Sequence, residues 1–243
     1  MDYYSRYYRT LTRGDPATAR GITTIARHNV TFSTSPYTTW RRKNDNPMIG
    51  VMEGLQFIAG VFYKDEIARI APNSKLELFT GMSSYGPRCG AQPSQIVDLI
   101  RKDRYTRQAV IVLANPGESP TERPCTTSLQ FQVSPSLHLM VTVTMRSSDA
   151  VWGLPYDLIQ FNFMGHVIST CTGYPLGEII INTGNAHVYE STALKIPRFS
   201  MYEFTIPTGP TEIVEWKEWA LKLIPTIDYT KAVEIFNIRK VSK

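Results

Sequence analysis

Met145-Arg146-Ser147-Ser148-Asp149-Ala150-Val151-Trp152-Gly153-Leu154-Pro155-Tyr156-Asp157 is a dense polar run between two apolar segments. Leu137–Met145, before it, has the β-branched, alternating pattern of a strand. Residues 157–170, after it, read as a helix. The run is therefore a strand-to-helix turn, punctuated by Gly153 and Pro155. Such a turn gathers side chains at the end of a sheet. Arg146 and Ser147 have the chemistry to hold a phosphate. Asp149 and Asp157 place a carboxyl group on each side of the turn.

Working outward, Ala109–Ala114 and Ser128–Val133 also read as strands. Cys125 stands just before the second of these, after Pro124, so its thiol is expected at the sheet's edge rather than inside it. Arg123 is two residues away, and a guanidinium near a thiol favours the thiolate. On the other side, Gly177–Asn182 is a strand of the buried kind. It leads into Asn182-Thr183-Gly184-Asn185-Ala186-His187-Val188-Tyr189, where His187 and Tyr189 point the same way if the chain is extended. Residues 21–33 form another strand. Residues 47–60 form a helix with most of its circumference buried. Glu53 lies on that helix with little polar face left to it, so its carboxylate must be paired or functional. Residues 94–103 predict a short helix capped by Ser94. Residues 211–224 predict an amphipathic helix with Ile213, Trp216, Ala220 and Leu223 on one side. Helices mixed with strands in a largely non-alternating order indicate α+β or mixed α/β.

The chain has 243 residues, 42% hydrophobic and 19% charged, and reads as one domain over 1–243. No apolar run approaches the roughly 18–20 residues of a membrane span. An apolar signal core at the start and a lipidation box at the end are both lacking, so a cytoplasmic location is expected. The three cysteines, odd in number and without metal-type spacing, argue against a disulfide framework and against zinc or any other metal site. The net charge is +5, but the basic residues are scattered. This reads as a mildly basic surface; the scatter counts against a nucleic-acid binder, and a third reading is that several arginines converge on a small anion such as a phosphate.

In their order and spacing these strings resemble the thymidylate synthase family. Pro124-Cys125-Thr126 before Gln130-Phe131 resembles the family's nucleophile step. Arg146-Ser147-Ser148-Asp149 through Gly153-Leu154-Pro155-Tyr156-Asp157, then Gly184-Asn185-Ala186-His187-Val188-Tyr189, Thr106-Arg107-Gln108 and Met52-Glu53-Gly54-Leu55-Gln56-Phe57-Ile58-Ala59-Gly60 continue the likeness over roughly residues 20–190. The resemblance implies a twisted mixed sheet packed with helices, and a homodimer formed sheet to sheet. It implies that Cys125 attacks C6 of a pyrimidine nucleotide, with Glu53 ordering water and handling protons. Arg146 and Ser147 would hold the 5′-phosphate, with Arg20 and, across the dimer, Arg107. His187 and Tyr189 would bind the sugar hydroxyl. Asp149 and Tyr85 would lie by the cofactor, 5,10-methylenetetrahydrofolate.

Departures from the family pattern sharpen the expectation. Asp157 stands where synthases have an asparagine that reads uracil. Cytosine reverses the hydrogen-bond pattern at N3 and the 4-position. A protonated carboxyl donates to N3 and accepts from the amino group, and it can protonate N3 as the thiolate attacks. The same exchange, with Thr126 and Met145 through Gly153, resembles the phage deoxycytidylate hydroxymethylase branch; a phage-encoded copy would work in the host cytoplasm. Tyr85-Gly86-Pro87-Arg88-Cys89 lacks the tryptophan that shields the methylene during hydride transfer, which favours capture by water. Gln108 replaces a second arginine, and the C-terminal tail of the synthases is not recognisable. The leading reading is dCMP 5-hydroxymethylase. Alternatives are a dCMP 5-methyltransferase and a non-catalytic nucleotide- or RNA-binding relative. Ser147 favours deoxyribose over ribose.

Overall fold

The computed structural model describes residues 3–19, 21–42, 46–72, 81, 84–193 and 199–241. Arg20 lies outside them. In chain order the elements are α1 (Tyr3–Leu11), β1 (Asp15–Ala19), β2 (Ile22–Thr34), β3 (Thr38–Arg42), α2 (Met48–Ala59), α3 (Lys64–Ile70), α4 (Tyr85–Cys89), α5 (Gln92–Lys102), β4 (Val110–Val112), β5 (Thr126–Val133), β6 (Leu139–Asp149), α6 (Leu154–Thr172), β7 (Leu176–Tyr189), α7 (Glu190–Ala193), β8 (Phe199–Glu203), α8 (Ile213–Leu223), α9 (Tyr229–Phe236) and β9 (Arg239–Lys240).

Six strands form one sheet in the order β1-β2-β7-β6-β5-β4, and β3-β8-β9 form a second. Only β6 and β7 run parallel in the large sheet, which requires a crossover, and α6 supplies it. The expected mixed α+β architecture is what the chain adopts. No helix among the described residues is long and apolar enough to cross a membrane.

Strand register separates the two faces of the large sheet. Phe32, Ile181, Val143, Leu129 and Ile111 lie side by side, and the last four are fully buried. This row faces the helices. The neighbouring row, Ser33, Ile180, Thr142, Gln130 and Val110, faces away and is half-buried without a charged side chain. A half-open row of small polar and branched residues, with no charge among its five, is suited to cover by another surface.

Helix α6 is buried on nearly every side. It opens at Gly153 with Pro155 in its first turn and closes at Gly173 in the left-handed region (φ 78°), the asymmetry expected of a helix. Helix α2 packs along it through Gly50 and Gly54. A Cβ on Gly54 would lie 2.8 Å from the Phe163 ring, and one on Gly50 2.8 Å from Ile159 Cδ1. The four-residue spacing of these glycines lets the backbones approach and carries Glu53 toward α6.

Three expectations need correction. Ser94 is not a cap: α5 begins at Gln92 after Ala91, with Pro93 in the first turn, a position where a proline's missing N–H costs nothing. The polar runs Arg146–Asp149 and Asn185–Tyr189 are not loops. They extend β6 and β7, paired with each other in parallel through Ser147↔Asn185 and Asp149↔His187, because long neighbouring strands supply ladder bonds past the apolar part. Third, α8 is shorter than the expected 211–224, although Ile213, Trp216, Ala220 and Leu223 are its buried residues as expected.

Candidate active site

The ladder of the large sheet breaks along one transverse line. Asn29, in the left-handed region (φ 53°), is not a ladder partner of Gly184, nor is Gly184 of Arg146. In β5 the register slips near Thr127. The strand ends beyond this line carry Cys125, Arg146, Ser147, Asp149, His187 and Tyr189. The break re-aims their side chains out of strict alternation.

Cys125 is the exposed thiol; Cys89 and Cys171 are buried, and burial pushes both of these up to about 12, leaving them inert as nucleophiles. The segment bearing Cys125 is held from below. The Arg146 amide donates to the Cys125 carbonyl (2.9 Å). The Arg146 guanidinium donates to the carbonyls of Pro124 (3.1 Å) and Arg123 (2.9 Å). Arg123 is half-buried in the same loop. Its guanidinium turns back to the carbonyls of Pro116 and Glu118 (both 3.2 Å), since a strand-initial loop leaves carbonyls that need donors. Arg88 braces the same loop, donating to the Leu113 and Glu122 carbonyls and pairing with Glu118.

Behind Cys125 lies a chain of polar groups from four elements. Thr126, the first residue of β5, is within 2.7 Å of the Tyr85 hydroxyl of α4. That hydroxyl donates to Asp157 Oδ1 in the first turn of α6 (2.8 Å). Glu53 of α2 accepts from Gln160, one turn further along α6 (3.2 Å). Gly86 makes this possible: a Cβ there would sit 2.2 Å from the Val61 carbonyl, so only glycine lets Tyr85 press against the end of α2.

Both carboxyl groups retain a sliver of solvent access but are ringed by protein. Burial pushes Asp157 up to about 7, against a smaller downward pull from Tyr85. Burial, then the charge of Asp157, pushes Glu53 up to about 8. For Asp157 this is about a thousandfold gain in proton affinity, whereas the helix N-terminus opposes it by tenfold at most. Asp157 is therefore a group poised to hold or yield a proton near neutrality.

Ser147 and His187 are brought together: Ser147 Oγ lies 3.5 Å and Asn185 Oδ1 3.2 Å from His187 Nδ1. The His187 and Tyr189 rings meet edge to face. Arg146 is exposed beside them. Arg107 is exposed on the loop leading to β4, and it makes no hydrogen bond or ion pair with Arg146, Ser147 or His187 within the chain. Asp149 accepts from the amides of Val151 (2.8 Å) and Trp152 (3.2 Å). Its charge, added to burial, raises Tyr7 and Tyr8. Tyr85, expected beside the cofactor, puts its hydroxyl between Thr126 and Asp157.

Sequence reasoning missed Thr126 and Gln160 as members of the network, and Trp152. The last stands 51% exposed, its indole N–H on Thr192 (3.3 Å). The one available signal was an unexplained aromatic in a polar turn. A half-exposed indole in the same turn as the Asp149 carboxylate suits a flat heteroaromatic ligand with hydrogen-bond donors.

Comparison with known proteins places the chain. The family profile "Thymidylate synthase" matches residues 68–205, more than half of the chain. Thymidylate synthase 1 of Bacillus spizizenii is 35% identical over 101 residues, 40% of this chain and 36% of that protein. A deoxyuridylate hydroxymethyltransferase of Delftia phage PhiW-14 is 30% identical over 125 residues, 44% of this chain and 35% of that protein. The matched stretch thus spans about a third of the length of these relatives. The crystal structure of thymidylate synthase from T4 phage superposes with a TM-score of 0.74 at 19% identity, covering 100% of this chain and 97% of that one, which establishes a shared fold.

Proposed function

The chain belongs to the thymidylate synthase family, and we propose that within it this protein is a dCMP 5-hydroxymethylase. The observation that carries this reading is Asp157: a buried carboxyl group raised to about 7 behind the one exposed cysteine. At neutral pH it holds a proton on much of the population, so it donates to N3 of cytosine and accepts from the 4-amino group. Uracil, with N3–H and O4, meets a mismatched partner as long as the proton stays on the oxygen that faces N3, and a site built on buried polar groups rejects such a mismatch strongly.

The chain's own groups then divide the work. The Cys125 thiolate adds to C6, and the electron pair of the 5,6 double bond moves toward C5 and the N3 side, where Asp157 supplies a proton. Glu53, raised to about 8, orders water and accepts or returns protons. Arg146 and Ser147 hold the phosphate, and His187 and Tyr189 the sugar hydroxyl. Trp152 and Asp149 offer the stacking face and the acceptor that methylenetetrahydrofolate needs; when bound, that group supplies the one-carbon unit. C5 would bond to that one carbon, the C5 proton would leave as the carrier nitrogen is released, and water would add its hydroxyl to the carbon as Cys125 departs as thiolate. The half-buried, uncharged row on the outer sheet face supports a homodimer, in which Arg107 of the second copy completes the phosphate site.

Incubation with methylenetetrahydrofolate and either dCMP or dUMP, followed by product mass, tests the reading. A hydroxymethyl product from dCMP is expected. A methyl product would replace water capture with hydride transfer. A second reading, hydroxymethylation of dUMP, is favoured by the similarity to the phage deoxyuridylate enzyme; product from dUMP alone would establish it and remove the argument from Asp157.

A further inference from the structure

The Thr126 hydroxyl, the Tyr85 hydroxyl and the Asp157 carboxyl stand in a row, at 2.7 and 2.8 Å. Thr126 has no solvent exposure, and among the described residues its hydroxyl meets no other partner. Such a row can run in two directions. In one, Thr126 donates to Tyr85 and Tyr85 donates to Oδ1. The proton of a neutral Asp157 then sits on Oδ2, which presents a donor. In the other, Oδ1–H donates to Tyr85 and Tyr85 donates to Thr126. Oδ2 is then only an acceptor, the pattern that suits N3–H of uracil.

The two directions are not equal. A phenol has one proton, so in the second direction the Thr126 hydrogen is buried with no acceptor. That orphaned donor disfavours the second direction by about tenfold or more. We propose that Tyr85, with Thr126 behind it, sets the direction of this row and so keeps Asp157 a donor toward cytosine N3. Tyr85 is thus the positioning residue that determines which base is read. The inference rests on the reading of Asp157 given above. The charged and titratable groups facing the row are Glu53 from α2 and Cys125 from the segment before β5.

The test is the ratio of dCMP to dUMP affinity, measured by calorimetry on the full chain and on Thr126→Val, Thr126→Ser and Tyr85→Phe. Wild type prefers dCMP. Thr126→Ser, which keeps the hydroxyl, retains that preference, and so does Thr126→Val, where the Tyr85 proton is left with Asp157 as its acceptor. In Tyr85→Phe the preference falls by about tenfold, with dUMP binding gained, and the pH at which dCMP binding weakens moves upward, because the bond that pulls Asp157 down is gone. A merely structural role would weaken both ligands alike and leave that pH unmoved. A Tyr85→Phe protein with the wild-type ratio, or a Thr126→Val protein without it, overturns the inference alone. A wild type that prefers dUMP, or neither, overturns the reading of Asp157 and the inference with it.

Discussion

Replacing Asp157 with asparagine keeps the size of the side chain and exchanges a removable proton for a fixed amide. The donor toward N3 is then an N–H that cannot be transferred. Asp157→Asn should cut kcat/KM for dCMP relative to dUMP by about a hundredfold or more, an effect of the size expected when buried polar partners are mismatched. Steady-state kinetics with each nucleotide checks it. Glu53 makes a separate forecast. Its folded pKa of about 8 lies above the ordinary 4.5, so between those values the native state keeps a proton that the unfolded chain has lost. Stability therefore falls as pH rises across that window, by up to about 1.4 kcal/mol for each pH unit, or on the order of 3 °C in Tm. Glu53→Gln should flatten that fall, so that thermal melts at pH 5, 6.5 and 8 bring the variant level with or above wild type at the high end. Cys125, Glu53 and Asp157 were legible in the sequence because each breaks its local pattern: a thiol after proline, and a carboxylate in an apolar helix or beside a turn. Thr126 and Gln160 were not. Their partners lie 41 and 107 positions away, and no local spacing encodes a hydrogen bond of that span.

At the scale of elements, the contact of α2 with α6 carries the two carboxyl groups toward each other. Gly54 is the tight point, with Phe163 fully buried against it. Gly54→Ala should lower unfolding stability by about 1–3 kcal/mol through overpacking. Gly117→Ala, where nothing lies within 4 Å of a new Cβ, should leave the urea midpoint unchanged. Apolar periodicity announced both helices and the central strands. It stopped short where β6 and β7 turn polar, because apolar pattern reports burial and not backbone pairing. The ladder continues through Asp149↔His187 although both side chains are polar and half-buried. The bonds of Arg123 to the Pro116 and Glu118 carbonyls were hidden for a related reason: closeness in sequence to Cys125 says nothing about where a long side chain finds unpaired carbonyls.

For the whole molecule, the large sheet has one face sealed by helices and one left half-buried. If that second face is where two copies meet, a charge placed on it should separate them. Ile180→Glu is expected to halve the mass seen by light scattering, keep the circular dichroism of the native fold, and abolish turnover, because Arg107 would no longer reach the neighbouring phosphate. A wild type that is fully active as one 27.5 kDa chain would remove the dimer from the account. The guanidinium of Arg146, finally, grips the backbone of Arg123 and Pro124 on one side while standing exposed on the other. An anion that draws on Arg146 therefore draws on the segment that aims Cys125, so occupancy at the far end of the substrate sets the readiness of the nucleophile. Addition should be ordered, nucleotide before carbon donor. Deoxycytidine, which lacks the anion, should lose kcat and not affinity alone, a deficit that saturating concentrations do not restore.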